Sequence, residues 1–356
     1  MAFASSLPNI DLPFSMEMAI NYYIESKLTE GKMPIKIISL ISTDSFVHLL
    51  EENMMKFYDV KFDYSTIEET KTASLTRFRM KRKLPVNELE DTFFAYQNGN
   101  IVFIITCADK LFINSGIFYM AKKMYPKVII SYITSKDIEN ILELFESSKK
   151  HDLFYRNTVR KKLFGKKETD IKYKYGHYKE AFNEARLNEL WIDRIEISSK
   201  DEKFHFELSR DGVVKILKGL FRDYFLIFRY ISYKYKDKFD FFSNRSREYT
   251  PDYSVRPIKL PFESSLFYEK TIREQFIEVI SKYPHCNYSV NYIGNPHFHV
   301  NIFDKLDYSV FTVKSYSSDS IIITPQISTT EASLMRFTKH LLDNFRETSI
   351  VNFEGN

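Results

Sequence analysis

Between residues 287 and 324 four short segments alternate apolar and polar residues: 287–293, 297–303, 308–315 and 319–324. Short polar turns separate them. Alternation at period two puts successive side chains on opposite faces of an extended strand, and turns this short join antiparallel neighbours. The pattern therefore predicts a four-stranded antiparallel meander with one apolar face, and that face needs a cover. The next segment, STTEASLMRFTKHLLDNFRE, supplies Leu334, Phe337, Leu341 and Phe345 at helical spacing. Ser328 and Glu331 stand at capping-box distance before them. One face of the sheet is expected to lie under this helix, and the other to stay open.

The upstream sequence mixes both periodicities. Helical spacing runs through SMEMAINYYIESKL and DSFVHLLEENMMKF, the second with Asp44 as expected N-cap. MPIKIISLIST reads as a buried strand, and Asn98-Gly99 marks a hairpin between two apolar strands. RDGVVKILKGLFRDYFLIF fits one helix, or a helix running into a strand, and 234–262 is turn-rich and polar. The expected class is α+β: two mixed α/β units joined by a basic helical connector. The expected divisions are an N-terminal leader and helix (1–32), a mixed α/β domain (33–148), the connector (149–190) and an α+β domain carrying the meander (191–350).

Composition excludes several chemistries. The 356 residues include only nine glycines, with no GxG and no GxxxxGK among them. A phosphate-cradling loop needs glycines so that backbone N–H groups can approach the phosphate, which sets aside the common nucleotide-binding loops. Cys107 and Cys286, the two cysteines, fit no zinc or redox spacing. They read as buried, reduced thiols of a cytoplasmic protein. No apolar run approaches the ~18 residues of a membrane span, and the N-terminus lacks the pattern of a secretory signal. No membrane partner and no obligatory cofactor are expected.

Positive charge is concentrated. Residues 149–179 hold eleven basic and three acidic residues, a net +8 against +4 for the whole chain. Arg160, Lys161, Lys162, Lys166, Lys167, Lys172 and Lys174 lie there, interleaved with Phe154, Tyr155, Phe164, Tyr173, Tyr175 and Tyr178. Cations with aromatics are the composition that single-stranded nucleic acids exploit, by backbone neutralisation and base stacking. A docking surface for an acidic protein uses the same charge. In LTRFRMKRKLP, Arg77, Arg79, Lys81 and Lys83 recur at period two. On a strand they share one side at roughly 6.5–7 Å, close to the phosphate spacing of DNA. The alternative is an edge strand guarded by charge.

His297 and His299 in GNPHFHVNIFD would share a strand face. His-hydrophobic-His resembles the motif of HUH endonucleases, the rolling-circle replication and relaxase enzymes. The resemblance covers about ten residues of the chain. It implies that both imidazoles hold a divalent metal that polarises the scissile phosphate, and that a helical tyrosine attacks it. Here the helix after the strand has no tyrosine, and Tyr268 and Tyr283 precede it. A second nuclease-like pattern, resembling the PD-(D/E)xK type, could draw on Asp44, Asp59 and Lys61, or on Asp63, Glu69 and Lys71.

Three functions follow as expectations. The first is nucleic-acid binding by sequence-independent backbone contacts, in a subunit of a microbial genome-maintenance or antiviral-defence assembly. The second is a metal-dependent nuclease using His297 and His299. The third is a non-enzymatic subunit that docks an acidic protein.

Overall fold

A computed structural model of the chain describes residues 14–29, 34–57, 59–70, 73–85, 87–162, 168–245, 256–262, 266–326 and 328–353. Strands and helices are both abundant and the strands pair antiparallel, an α+β protein. The described residues form two compact units, one drawn from 1–162 and 169–237, the other from 238–356.

The first unit is built on an eleven-stranded sheet. Its strands are β1 (Ile35–Ser42), β2 (Val60–Glu69), β3 (Ala73–Lys83), β4 (Glu88–Asn98), β5 (Ile101–Thr106), β6 (Val128–Ile129), β7 (Leu153–Lys162), β8 (Glu168–His177), β9 (Trp191–Ser199), β10 (His205–Ser209) and β11 (Val213–Lys218). The order is β2-β3-β4-β5-β1-β11-β10-β9-β7-β8, with β6 also on β1. The strands that are apolar on both faces, IKIISLIS and IVFIIT, lie innermost, where both faces are covered. On one face Ile38, Leu40, Phe78, Met80, Phe93 and Ile104 pack with Phe46 and Leu49 of the helix Phe46–Glu52 and with Phe112, Ile117 and Met120 of the helical run 110–123. On the other, Phe103 meets Phe228 of the helix Phe225–Ser243, and Phe94 meets Tyr23 of the helix Phe14–Thr29. Burying each such aromatic or aliphatic side chain stabilises the fold by about 1.5–3 kcal/mol.

The second unit carries a six-stranded sheet in the order β13-β14-β15-β16-β12-β17. Its strands are β12 (Ile258–Pro261), β13 (Cys286–Ile293), β14 (Phe298–Asp304), β15 (Val310–Ser317), β16 (Ser320–Pro325) and β17 (Val351–Asn352). β13 to β16 follow one another as antiparallel neighbours. Phe298, Val300 and Ile302 are buried, while His299 and Asn301 between them are half-exposed. Phe276 of the helix Lys270–Ser281 lies against Phe298, and Phe337 of the helix Glu331–Asn344 lies against Phe311. Asp304 at the end of β14 is fully buried, and its carboxylate is fully used. It pairs with Arg336, and it accepts from Ser333 (2.8 Å), Tyr283 (3.2 Å) and the Leu306 amide (3.0 Å).

Several expectations are corrected. The basic segment 149–190 is not a helical connector. It is the strand pair β7 and β8 followed by one helix, Tyr178–Leu187. Its β-branched and aromatic residues alternate with the charges, and that alternation sets the backbone state. The sheets also divide later than the expected boundary at 190/191, because β11 bonds directly to β1 and brings β9 and β10 with it. The segment from Val213 is a strand followed by a helix, which continues into the region read as turn-rich. The C-terminal helix is capped by Thr330, whose side chain accepts from the Ser333 amide, while Ser328 takes φ +66°. Ser45, not Asp44, caps the helix after β1. The β4–β5 turn has Gly99 (φ +56°) in its first central position, closed by the pair Asn98 and Ile101. That places the turn one residue later than Asn98-Gly99, and a glycine there is what a II′ hairpin requires. Cys107 is buried and Cys286 half-buried, both unbridged.

Candidate nucleic-acid interface

The basic ladder lies on β3, an inner strand between β2 and β4, so it does not guard an edge. Phe78 and Met80 point into the core, while Arg77, Arg79 and Lys83 are exposed and Lys81 is half-exposed. The β4 strand supplies partners for the middle rungs. The Arg79 Nε donates to Glu90 at 2.7 Å, and Lys81 Nζ lies 3.0 Å from Glu88 and 3.5 Å from Glu90. These pairs shift the groups as expected: the Arg79 hydrogen bond lowers the Glu90 carboxyl, and the Glu88 hydrogen bond raises Lys81. Exposed pairs of this kind contribute about 0–1 kcal/mol, so a phosphate can compete for the cations.

In the register of the β2–β3 pair, Lys61 stands directly beside Lys81. Lys61, Lys81, Lys83 and Arg82 converge on one open concavity whose acids are Asp59 and Glu88. Arg82 is held there on two sides. Its Nε donates to Asp59 at 2.8 Å, and its guanidinium lies over the Tyr119 ring, 3.4 Å from the centroid. Tyr119 also donates to Asp59. Burial pushes the Asp59 carboxyl up, but Arg82 and Tyr119 outweigh it and hold it below its ordinary value. Sequence reading assigns Lys61 to a nuclease-like pattern and not to this basic row, and it misses Arg82. The signal for Lys61 was the antiparallel register, which a strand-by-strand reading does not use.

The second basic segment behaves less uniformly. Arg160 is fully buried, its Nη1 3.1 Å from Glu184 and its Nε 3.2 Å from Thr158. A phosphate cannot reach it, so Arg160 leaves the set of expected contact residues. The β7–β9 register shifts between Tyr155 and Asn157, which moves Thr158 onto the inward face, and Arg160, two residues on, shares that face. Lys161 and Lys162 end β7, and Lys172 and Lys174 lie on β8, the edge strand. Lys166 and Lys167 fall outside the described residues. The aromatic component is well defined. Phe154 and Tyr175 stack with centroids 5.0 Å apart and planes 3° apart, and Tyr175 is 59% exposed. Both basic surfaces thus belong to one sheet, but they sit eight strand steps apart, roughly 38 Å across the strands at ~4.8 Å per step. They do not merge into a single site.

Among the described residues the histidine pair gains no third ligand. His297 is exposed and precedes β14, following the cis Asn295–Pro296 peptide; its Nδ1 is 3.4 Å from the Ser315 carbonyl. His299 lies within β14, with Tyr292 and Lys314 as its register neighbours. A bulge between Val290 and Tyr292 turns Tyr292 onto the His299 face, where strict alternation would have put Asn291. Burial and the Lys314 charge hold the His299 imidazole below its ordinary value, against a smaller upward pull from Asn301. An ammonium group beside the ring opposes a dication, and among the described residues no three His, Cys, Asp or Glu side chains are grouped for metal binding. Tyr283 is buried and donates to Asp304, and Tyr268 is exposed in the short turn Leu266–Tyr268. These residues do not fit the ion that the HUH resemblance implies. In the other nuclease-like pattern Asp59 pairs with Arg82 and Asp44 accepts from the Ser45 amide, while Lys71 lies outside the described residues.

No family model matches the chain, and no curated protein sequence matches it. No helix among the described residues is long and apolar enough to cross a membrane.

Proposed function

We propose that this protein binds nucleic acid through sequence-independent contacts to the backbone. One observation carries the reading: a solvent-facing row of Arg77, Arg79, Lys81 and Lys83 on an inner strand, ending in a concavity that adds Lys61 and Arg82. A strand holds alternate side chains roughly 6.5–7 Å apart, close to the spacing of successive phosphates, and a sheet fixes that spacing before the ligand arrives. Cations repeated at one spacing along a strand meet successive phosphates alike, and phosphate contacts position a backbone without reading a sequence. The exposed Tyr175, stacked on Phe154 in the most basic part of the chain, supports single strands as the preferred form, since an unpaired base can stack on it.

The test is a salt titration against single- and double-stranded DNA and RNA. The logarithm of the association constant should fall linearly with the logarithm of salt, by about 0.7 per phosphate neutralised on single strands and about 0.9 on duplex DNA. The triple variant Lys61→Glu, Arg77→Glu, Lys83→Glu reverses three cations and should abolish binding with the fold intact. Affinity that ignores salt, or that survives this variant, overturns the reading. Capture of an acidic protein after nuclease treatment, with no nucleic acid bound, would favour docking instead.

A further inference from the structure

The exposed edges of the two sheets are treated differently. An edge strand presents unpaired N–H and C=O groups, and proteins guard such edges with charge or by keeping them short. In the first sheet, edge β2 carries Lys61, Asp63, Glu68 and Glu69, and edge β8 carries Glu168, Asp170, Lys172 and Lys174. In the second, edge β17 is two residues long. The fourth edge, β13, is eight residues long, reads CNYSVNYI and has no charged residue. Every position from Asn287 to Ile293 is exposed.

We infer that β13 is the seat of a two-fold contact between two copies of this chain, formed by antiparallel pairing of the strand with itself. Two observations select a second copy as the occupant. The first is the distribution of apolar surface along the edge. Tyr292 and Ile293, 57% and 53% exposed, lie at one end of β13, and Leu306 and Tyr308, 42% and 69% exposed, lie in the turn at the other. That turn is tied to the start of β13 by the Lys305 amide, which donates to the His285 carbonyl. A two-fold axis through the strand reverses its direction, so the Ile293 end of one copy comes beside the Leu306 turn of the other, at both ends at once. A single patch at one end would not complement itself in this way.

The second observation is the face each residue occupies. Before the bulge, Tyr288 and Val290 are in register with the buried Ile302 and Val300, and Ser289 is in register with Asn301 of the open face. A dyad at Ser289 places Ser289 opposite its own copy and Tyr288 opposite Val290. Apolar side chains then meet on the helix side and polar ones on the open side. The bulge at Val290/Tyr292 bends the strand and ends the pairing there, so the contact adds one strand and does not propagate into a fibre.

Sedimentation velocity across a concentration series tests the inference. The unmodified chain should show a reversible monomer–dimer equilibrium. Val290→Lys puts like charges on both sides of the dyad and should leave only monomer, with an unchanged far-UV spectrum. If that variant misfolds, Tyr288→Glu at the exposed neighbouring position carries the same test. Amide exchange supplies a second readout, with the amides of the Cys286–Val290 segment that face away from β14 protected only at dimer concentrations. A chain that is monomeric throughout overturns the proposal, and so does a dimer unaffected by both substitutions. The inference is independent of nucleic-acid binding, and either can fail alone.

Discussion

The Arg160 guanidinium lies 3.1 Å from the Glu184 carboxylate, with the arginine fully buried and the glutamate partly open to solvent. An arginine in a basic segment is here a fastener between β7 and the helix Tyr178–Leu187. Removing one partner of such a pair leaves an uncompensated buried charge and costs about 3–5 kcal/mol. Glu184→Gln should therefore lower the free energy of unfolding by about 3 kcal/mol, the lower end because Glu184 is not fully buried. Arg160→Met, which removes charge and demand together, should cost less. Neither should change the salt slope of nucleic-acid binding. Urea denaturation beside a binding titration separates the two effects.

The β4 acids compete with phosphate for the ladder. Glu90 holds Arg79, and Glu88 holds Lys81. The double variant Glu88→Gln, Glu90→Gln frees both cations without moving them. Association should tighten, and the salt slope should steepen by up to about 0.7 per freed cation on single strands. An unchanged slope would place the nucleic acid elsewhere on the protein.

Tyr175 offers its face to solvent and rests on Phe154. Loss of base stacking on an aromatic costs about 1–3 kcal/mol per base. Tyr175→Ala should weaken single-strand binding about tenfold, or 1.4 kcal/mol, and leave duplex binding unaltered. A conservative Tyr175→Phe change should restore the affinity. Equal losses on both forms would show that the tyrosine acts through the fold.

How far the sequence speaks for itself depends on whether the deciding interaction is local. The β13–β16 meander was legible because alternation and short turns are local. The β13 bulge was not, because one extra residue leaves no mark in composition, yet it moves Tyr292 beside His299. Charge density hid the strands of 149–179, where Leu153, Tyr155 and, beyond an extra residue at Arg156, Thr158 are buried between polar residues. Arg160 was misread as a contact residue because its partner stands on a helix and its orientation depends on a register shift in the ladder. The cap of the last helix went to Thr330 because Asp307 and Ser309, brought close by the β14–β15 turn, accept from its hydroxyl and its amide, whereas Ser309 reaches only the backbone carbonyl of Ser328. The β3 ladder was read correctly as a strand face, but its partners Lys61, Glu88 and Glu90 depend on register.

His299 should titrate below the ordinary imidazole value. Burial and the adjacent Lys314 disfavour the charged ring, while Asn301 favours it less strongly. The unfolded chain therefore binds more protons at this site as pH falls below about 6.5. Stability contributed by the neutral ring is complete above that pH and is lost as pH falls through the unfolded and then the folded value. Nitrogen-detected NMR should give the lowered value directly, and Lys314→Gln should raise it. A value that does not move in this variant would remove the lysine as a cause.

At the β10–β11 turn, Gly212 takes φ +67°, and the Tyr235 hydroxyl fills the space where its Cβ would stand. Tyr235 is fully buried and donates to the Asp211 carbonyl, so the ring has no room to retreat. Gly212→Ala meets two penalties. The left-handed backbone costs a residue with a Cβ about 1–2 kcal/mol, and forcing an extra carbon into packed surroundings costs about 1–3 kcal/mol. The two are separable by a double-mutant cycle. Tyr235→Phe removes the oxygen that the new Cβ would strike, so Gly212→Ala should cost less in the Tyr235→Phe background than in the unmodified chain. The residual cost is the backbone component plus the close approach of the ring carbon Cζ, 3.0 Å from the added Cβ. Equilibrium urea unfolding of the four proteins measures both, and strictly additive losses would show that the hydroxyl is not what excludes the side chain.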